Sequence, residues 1–186
     1  MAKIIIGITG TLGAGKGTVV EYLKTKGFNH YSVRNYLIAE IENKDMPVNR
    51  DSMVAVANEL RAKNSPSFII DELYKQAVKD EFSKCIIESI RTPGEIESLQ
   101  TKANFYLLAV DAPAKIRYDR IAERKSATDM VSFKQFVADE AREMTSADLN
   151  KQNLSQCISL ADFKIDNSGT IKNLHAQVDK ILDSIK

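Results

Sequence analysis

A glycine-rich segment near the start of the chain has the spacing that most directly predicts chemistry. The apolar residues 4–8 lead to Gly10 and then to Gly15 and Lys16, which gives the pattern G-x-x-x-x-G-K. Glycines let the backbone curl so that successive N–H groups point into one hollow, and the following helix adds partial positive charge. Lys16 adds a full charge. The segment predicts a polyphosphate-binding loop (the phosphate loop) made of Gly10, Thr11, Leu12, Gly13, Ala14, Gly15, Lys16, Gly17 and Thr18.

A dinucleotide-binding turn is the competing interpretation of the same glycines. That turn requires the order G-x-G-x-x-G, and the glycines of residues 10–17 do not have it. No acidic residue follows a second strand at the distance that a ribose hydroxyl would need. We therefore exclude a dinucleotide-binding turn.

Glu88 and Arg91 follow a second apolar run, residues 85–87, and are the next candidates. An acid that leaves a buried strand beside a phosphate loop can orient water bound to Mg²⁺. The planar guanidinium of an arginine suits bidentate contact with phosphate oxygens. We expect Glu88 to hold the metal through water and Arg91 to contact both the transferred phosphoryl group and the acceptor.

A later predicted helix carries a group of arginines. Arg120 and Arg124 are four residues apart and share a helix face, whereas Arg117 is expected to be structural. Phosphoryl transfer needs positive charge more than acid–base chemistry, because its transition state spreads negative charge over equatorial oxygens. Arg120, Arg124 and Arg142 on the following helix are therefore candidates for contact with phosphate groups.

The elements that must position these residues alternate between apolar strands and helices. Continuous apolar runs separated by helices imply a parallel sheet covered on both faces, whose ligands bind outside the carboxyl ends of the strands. The predicted fold is α/β, a three-layer αβα sandwich with a five-stranded parallel sheet. Strands are expected near residues 3–9, 28–32, 84–88, 105–110 and 163–165, and helices near 66–82, 132–144, 150–160 and 170–185, among others.

Composition narrows the functional classes. The 186 residues suit one domain, and 26 basic against 25 acidic residues leave no electrostatic footprint for duplex nucleic acid. Cys85 and Cys157 are far apart without metal-ligand spacing, so we expect two small buried hydrophobes. No stretch has the length of a signal peptide core or a membrane span, so a cytoplasmic protein without a membrane partner is expected.

The ending Gly15-Lys16-Gly17-Thr18 resembles the adenylate-kinase-like nucleoside monophosphate kinases. Most phosphate loops place Ser or Thr directly after the lysine to bind Mg²⁺, whereas this chain has Gly17. The resemblance implies ATP and Mg²⁺ as cofactors, with the metal held mainly by water and nucleotide oxygens and with Thr18 near the α-phosphate. The R-x-x-x-R spacing of Arg120 and Arg124 resembles the beginning of the lid of these kinases, which implies a short lid at about residues 124–133. The resemblance implies that Arg120 and Arg124 are catalytic, that Arg120 also binds the nucleotide, and that Arg142 binds substrate.

Residues 30–37 resemble the acceptor-binding segment of adenylate kinases, which implies a helical acceptor-binding insertion at about residues 33–82. The arginine that holds the acceptor's phosphate in those kinases falls at Ile38 here, and Arg34, Arg50 and Arg61 are the candidates to replace it. The substrate-binding candidates are therefore Ser32, Arg34, Asn35, Arg61, Arg91 and Arg142.

Residues 161–170, followed by an apolar helix, resemble the end of dephospho-coenzyme A kinases. In that resemblance the loop after the last strand borders the adenine of ATP, which makes Asn167 and Gly169 nucleotide-binding candidates through their main chain. The same residues are also good turn and helix-cap chemistry.

Together the resemblances cover essentially the whole chain and leave two acceptor classes. A monophosphate offers an anionic oxygen and needs no base, whereas dephospho-coenzyme A offers a ribose hydroxyl, whose kinases carry an aspartate just after the second strand. Residues 29–32 contain no carboxylate. We therefore expect an ATP-dependent kinase whose small-molecule acceptor is a nucleoside or deoxynucleoside monophosphate.

Two alternatives stay open beside that expectation. One is dephospho-coenzyme A kinase or another kinase that phosphorylates a hydroxyl. The other is a nucleotide-dependent switch without transfer activity, although a switch does not need lid arginines that exclude water. The sequence does not determine the oligomeric state.

Overall fold

A computed structural model describes residues 3–124 and 131–185 of the chain. The strands are β1 (Ile4–Thr9), β2 (Asn29–Tyr31), β3 (Lys84–Glu88), β4 (Asn104–Asp111) and β5 (Phe163–Asp166). The helices are α1 (Lys16–Thr25), α2 (Val33–Glu42), α3 (Arg50–Lys63), α4 (Phe68–Lys79), α5 (Pro93–Gln100), α6 (Ala114–Arg124), α7 (Phe133–Met144), α8 (Leu154–Ser159) and α9 (Ile171–Ser184).

The strands form one parallel five-stranded sheet in the order β2-β3-β1-β4-β5. The central strand β1 pairs with β3 so that Ile8 lies opposite Glu88. Its other neighbour is β4, where Thr9 lies opposite Ala109. Because these strands end at the same edge of the sheet, the phosphate loop after β1 emerges beside Glu88.

Side chains of β1 alternate between two cores, one on each face of the sheet. Ile5 packs with residues of α2 to α5, whereas Ile6 and Ile8 pack with residues of α1 and α9. Burying an Ile, Leu or Val side chain contributes about 1.5–3 kcal/mol, so both faces stabilise the sheet. The predicted three-layer sandwich with a parallel five-stranded sheet is confirmed.

Element ends differ from the sequence-based boundaries at helix caps. The helix expected at residues 66–82 is α4, which ends at Lys79 because the chain turns at Glu81 with a φ of 59°. The helix expected from residue 150 begins at Leu154, where the Asn153 side chain caps it by accepting from the amide of Gln156. Thr170 is the cap of α9 rather than its first residue.

Most of the predicted lid, residues 125–130, lies outside the described part of the chain. Its described neighbours are the end of α6 at Arg124 and the beginning of α7 at Phe133. Across residues 3–124 and 131–185, no helix combines the length and the apolar character that crossing a membrane requires.

Candidate nucleotide and acceptor site

Backbone geometry explains the glycines of the phosphate loop. Gly10, Gly13 and Gly15 have φ values of 134°, 77° and 94°, a region that side chains other than glycine rarely adopt. A Cβ at Gly10 would lie 2.1 Å from the carbonyl oxygen of Val110, and one at Gly15 would lie 2.1 Å from Asn167 Nδ2. Both the conformation and the lack of space require glycine here.

The first turn of α1 leaves its amides available for an anion. Gly15 is the N-cap, no side chain caps the helix, and the first turn holds no acidic residue. Helix N-termini need acceptors for their first N–H groups, and a phosphate supplies them. Gly17 is exposed, and no atom of residues 3–124 or 131–185 lies within 4 Å of the position that its Cβ would take.

Lys16 is held above the loop by main-chain oxygens alone. Its Nζ donates to the carbonyl oxygens of Gly10 and Thr11, both at 2.8 Å. Burial, together with the charge of Arg91, lowers the pKa of Lys16 to about 7, although Glu88 raises it. An ammonium has three donors, so a polyphosphate oxygen could take the third and restore the full positive charge.

Arg120 lies beside the same loop and has an unused donor. Its Nη2 donates to the carbonyl oxygen of Asn167 at 2.7 Å. Its Nη1 is buried and has no hydrogen-bond partner within the described ranges. An orphaned guanidinium donor next to the phosphate loop fits a nucleotide that supplies the missing acceptor.

The side chain of Asn167 supports the phosphate loop from beneath. Its Nδ2 donates to the carbonyl oxygen of Ala14 at 2.8 Å, so the side chain is buried beneath the loop and supports it. Its main-chain carbonyl oxygen accepts from Arg120, and contact of this main chain with a nucleotide stays a prediction. Gly169 is exposed in the turn before α9, where a Cβ would meet Asn173 and not the loop.

These features test whether the loop fits a nucleoside triphosphate with Mg²⁺. The uncapped helix, the third donor of Lys16 and the orphaned Arg120 donor all fit phosphate oxygens. No cluster of three or more metal-ligating side chains occurs within residues 3–124 and 131–185. Glu88, which lines the cavity beside the loop, is the carboxylate that would face a magnesium ion carried by the nucleotide.

A cavity of about 200 Å³ opens beside the phosphate loop (the acceptor cavity). The loop, the carboxyl end of β3, α2, α3, α7 and the segment before α8 all contribute to it. Its apolar side consists of Leu12, Val33, Leu37, Met53, Val54 and Ala57. Its charged side chains are Arg34, Arg50, Glu88, Arg91 and Glu143.

Glu88 lies where the nucleotide and acceptor sides meet. Ser32 Oγ donates to its Oε1 at 3.2 Å, and the hydroxyl of Ser89 donates to its Oε2. His30 Nε2 lies 4.0 Å from the same Oε1. Ser32 also caps α2 by accepting from the amide of Asn35, so one hydroxyl positions both the helix and the carboxylate.

One carboxylate joins two arginines of the acceptor cavity. Arg91 Nη1 donates to Glu143 Oε2 at 2.7 Å, and Arg50 Nη2 donates to Glu143 Oε1 at 2.6 Å. Arg91 also donates to Gln152 Oε1 at 2.6 Å. Burial raises the pKa of Glu143, but the two arginines outweigh that effect and hold it below its usual range.

Arg34 differs from these arginines. Its Nη1 contacts Met53 Sδ at 3.7 Å, and no carboxylate of the described residues pairs with it. The lack of a pairing acid leaves its charge available to a ligand. Of the predicted acceptor residues, the structure thus brings Ser32, Arg34 and Arg91 to Glu88 or the cavity.

Three other predicted acceptor residues lie elsewhere. Arg61 is only 2 % exposed, and its Nε and Nη2 donate to Glu95 Oε1 at 3.1 and 2.8 Å, so its role is corrected to a structural one. That face of α3 turns into the core, which the helix pattern alone did not reveal. Asn35 borders a separate cavity next to His30, and Arg142 is exposed and donates to Asp139.

The remaining arginines lie on α6. Arg117 is buried and donates to the carbonyl oxygens of Ala112 and Leu12, which supports the loop structurally as expected. Arg124 is exposed at the last position of α6, and its catalytic role stays a prediction.

Arg50 was not singled out from the sequence as a site residue, and Glu143 was not considered at all. Arg50 was one of three arginines that could bind the acceptor's phosphate. Its position on the first turn of α3 directs its side chain into the acceptor cavity. Glu143 is 93 residues from Arg50 and 52 from Arg91. No local spacing signals such a pair, and only the packing of α7 against the cavity reveals it.

Comparison with known proteins agrees with this architecture. The crystal structure of TT1252 from Thermus thermophilus covers 100 % of this chain and 100 % of its own, with a TM-score of 0.63 at 19 % identity. Shikimate kinase from Bacteroides thetaiotaomicron covers 97 % and 98 %, with a TM-score of 0.57 at 12 % identity. These likenesses show that the chain shares the α/β fold of both structures.

Sequence relatives span nearly the whole chain. A UPF0200 protein of Pyrobaculum aerophilum is 28 % identical over 180 residues, which cover 96 % of this chain and 96 % of its own. A UPF0200 protein of Methanothermobacter thermautotrophicus is 25 % identical and covers 98 % and 90 %. A family model described as AAA domain matches residues 6–157, and the chain belongs to that family.

Proposed function

We propose that the protein is an ATP-dependent phosphotransferase that moves the γ-phosphoryl group of ATP to a nucleoside or deoxynucleoside monophosphate. The observation that carries the proposal is the acceptor cavity, which combines three arginines with an apolar wall directly beside the phosphate loop. Arginines suit a phosphate, and an apolar wall suits a base or sugar ring. A site with only a phosphate loop would not need the second cavity.

Each side chain has a role in this reaction. The main-chain amides of the loop and Lys16 would bind the β- and γ-phosphates, and Arg120 would supply its free donor to the nucleotide. Mg²⁺, when bound, would neutralise charge on the transferred phosphoryl group, with Glu88 orienting its water. Arg91 would contact the transferred phosphoryl group and, together with Arg34 and Arg50, the acceptor's own phosphate.

A hydroxyl acceptor is the second candidate, and Glu88 is the observation that favours it. Its carboxylate lines the acceptor cavity, where it could receive a proton from a hydroxyl. A monophosphate needs no such base, since its oxygen is already ionised. The two candidates therefore differ in what they require of Glu88.

A substrate panel tests the proposal. Purified protein is incubated with ATP and Mg²⁺ and with each nucleoside or deoxynucleoside monophosphate, with dephospho-coenzyme A, or with no acceptor, and products are resolved by chromatography. We expect a nucleoside diphosphate product with at least one monophosphate. Turnover with ATP alone, unchanged by every acceptor, would contradict a transferase.

Variants separate the two acceptor classes. Glu88→Gln removes the base but keeps the size of the side chain. If the acceptor is a hydroxyl, Glu88→Gln should abolish the pH dependence of the transfer rate that a carboxylate base gives. If the acceptor is a monophosphate, the loss of rate in Glu88→Gln should depend on the Mg²⁺ concentration. Lys75→Gln, at an exposed position on α4, is the matched control.

A further inference from the structure

We infer that the Glu143 carboxylate occupies, in the ligand-free protein, the position that the acceptor's phosphate takes between Arg50 and Arg91, so that acceptor binding displaces it. The inference rests on the proposed function for the identity of the acceptor. Through Glu143, helix α7 would take part in selecting the acceptor, whereas the phosphate loop would not.

The geometry of the three side chains is that of a clamped anion. Each oxygen of Glu143 accepts from a different guanidinium, at 2.6 Å from Arg50 and 2.7 Å from Arg91. The Glu143 side chain is 8 % exposed, whereas the arginines are 20 % and 21 % exposed and face the cavity. A phosphate group in the same place would be bound in the same way, with two of its oxygens accepting from the two arginines.

Charge gives the phosphate an advantage over the carboxylate. Glu143 offers one negative charge and two oxygens, whereas a phosphate monoester carries nearly two charges and three free oxygens. The additional oxygen can accept from Arg34, which has no acidic partner in the described part of the chain. Glu143 is thus a competitor that a complete acceptor can displace.

Displacement must also move Glu143 out of the cavity, since a buried carboxylate without its charged partners is strongly destabilising. Glu143 is the next-to-last residue of α7, and the chain leaves the helix at Thr145 in an extended conformation. The carboxylate can leave the cavity there without unwinding the rest of α7. The device discriminates against small anions, because a ligand must replace the carboxylate's contacts and also gain Arg34 and the apolar wall.

Inorganic phosphate is the probe that tests the inference without relying on turnover. We expect Glu143→Gln to bind inorganic phosphate at least tenfold more tightly than the unaltered protein in calorimetric titration. The gain should persist in Glu143→Gln with Lys16→Met, which locates it outside the phosphate loop. It should disappear in Glu143→Gln with Arg50→Met. Glu140→Gln, on the same helix but paired with Arg117, is the matched control and should show no gain.

Steady-state kinetics then distinguish the inference from the proposed function. Glu143→Gln should lower the KM for the monophosphate at least fivefold and leave the KM for ATP unchanged. An unchanged phosphate affinity, or a raised acceptor KM, would overturn the inference and show that Glu143 permanently positions the arginines. A phosphate gain without turnover of any monophosphate would instead overturn the proposed acceptor.

A measurement on the unaltered protein covers the case in which Glu143→Gln does not fold. The carboxyl carbon of Glu143 is observed by ¹³C NMR during pH titration, with and without saturating inorganic phosphate. We expect the pKa of Glu143 to return toward its usual range when phosphate is bound, since the arginines no longer contact it. The same pKa in both titrations would overturn the inference.

Discussion

The two halves of the site are built from different kinds of groups. The phosphate loop presents main-chain amides and one lysine within residues 10–18, and its glycines are required by backbone geometry. The acceptor cavity instead takes side chains from six parts of the chain, and its paired residues Arg50 and Glu143 are 93 residues apart. The nucleotide half is therefore fixed locally, whereas the charge of the acceptor half depends on tertiary contacts that a ligand can rearrange.

The largest effect is expected at Arg61, a residue that tests where the acceptor cavity ends and the core begins. Arg61→Met should lower the free energy of unfolding by about 3–5 kcal/mol, because it leaves the buried carboxylate of Glu95 without the guanidinium that balances its charge. Urea denaturation measures the change, and Lys75→Met on the exposed side of α4 is the control. An unchanged stability with a raised acceptor KM would instead return Arg61 to the binding site.

Removing the loop lysine tests the nucleotide half. Lys16→Met should reduce phosphoryl transfer by about 10²–10³-fold, the usual effect of losing one preorganised donor to a developing charge. Rapid-quench measurement at saturating ATP reports the chemical step. Lys24→Met, near the other end of α1, should transfer at the normal rate. Normal turnover by Lys16→Met would remove this residue from the mechanism.

The same variant has a pH-dependent effect on stability. The pKa of Lys16 is lowered to about 7, so between about 7 and 10.5 the unfolded chain binds a proton that the folded protein lacks. The charged Lys16 lowers the free energy of unfolding by its full amount below pH 7, and this loss disappears as the pH rises to 10.5. Ligand-free Lys16→Met should therefore be more stable than the unaltered protein at pH 7, with a smaller difference at pH 10. Thermal unfolding at both pH values checks this, and a difference that grows with pH would contradict it.

A smaller effect is expected from the unpaired arginine of the acceptor half. Arg34→Leu should raise the KM for the acceptor about 10–100-fold, since a hydrogen bond to a charged group contributes about 1.5–3 kcal/mol. The KM for ATP should not change, because Arg34 lines only the acceptor cavity. Equal increases in both KM values would show that the two halves are not separate.

The smallest effect concerns Gly17, the loop position without a steric reason for glycine. Gly17→Ala should stabilise the protein by about 1 kcal/mol, because the residue is helical and its Cβ would meet no atom of the described residues within 4 Å. Gly15→Ala is the contrasting variant, since its φ of 94° and its contact with Asn167 should make it destabilising. Equal effects at both positions would contradict the geometry of the loop.

The sequence predicted the fold and the nucleotide half because both depend on local patterns. Apolar runs and the spacing of Gly10, Gly15 and Lys16 lie within single elements or single turns. The acceptor half was predicted less well because the burial of Arg61 depends on which face of α3 meets Glu95. Glu143 went unnoticed because a lone glutamate near a helix end carries no signal until α7 packs against the cavity.

Calorimetry of ATP binding at pH 8, in two buffers of different ionisation enthalpy, tests the central claim most directly. If the phosphate loop binds the polyphosphate of ATP, binding should be accompanied by the uptake of close to one proton. The reason is that the phosphates raise the lowered pKa of Lys16. Lys16→Met should bind more weakly and without proton uptake. Absence of ATP binding, or the same proton uptake in Lys16→Met, would contradict the account.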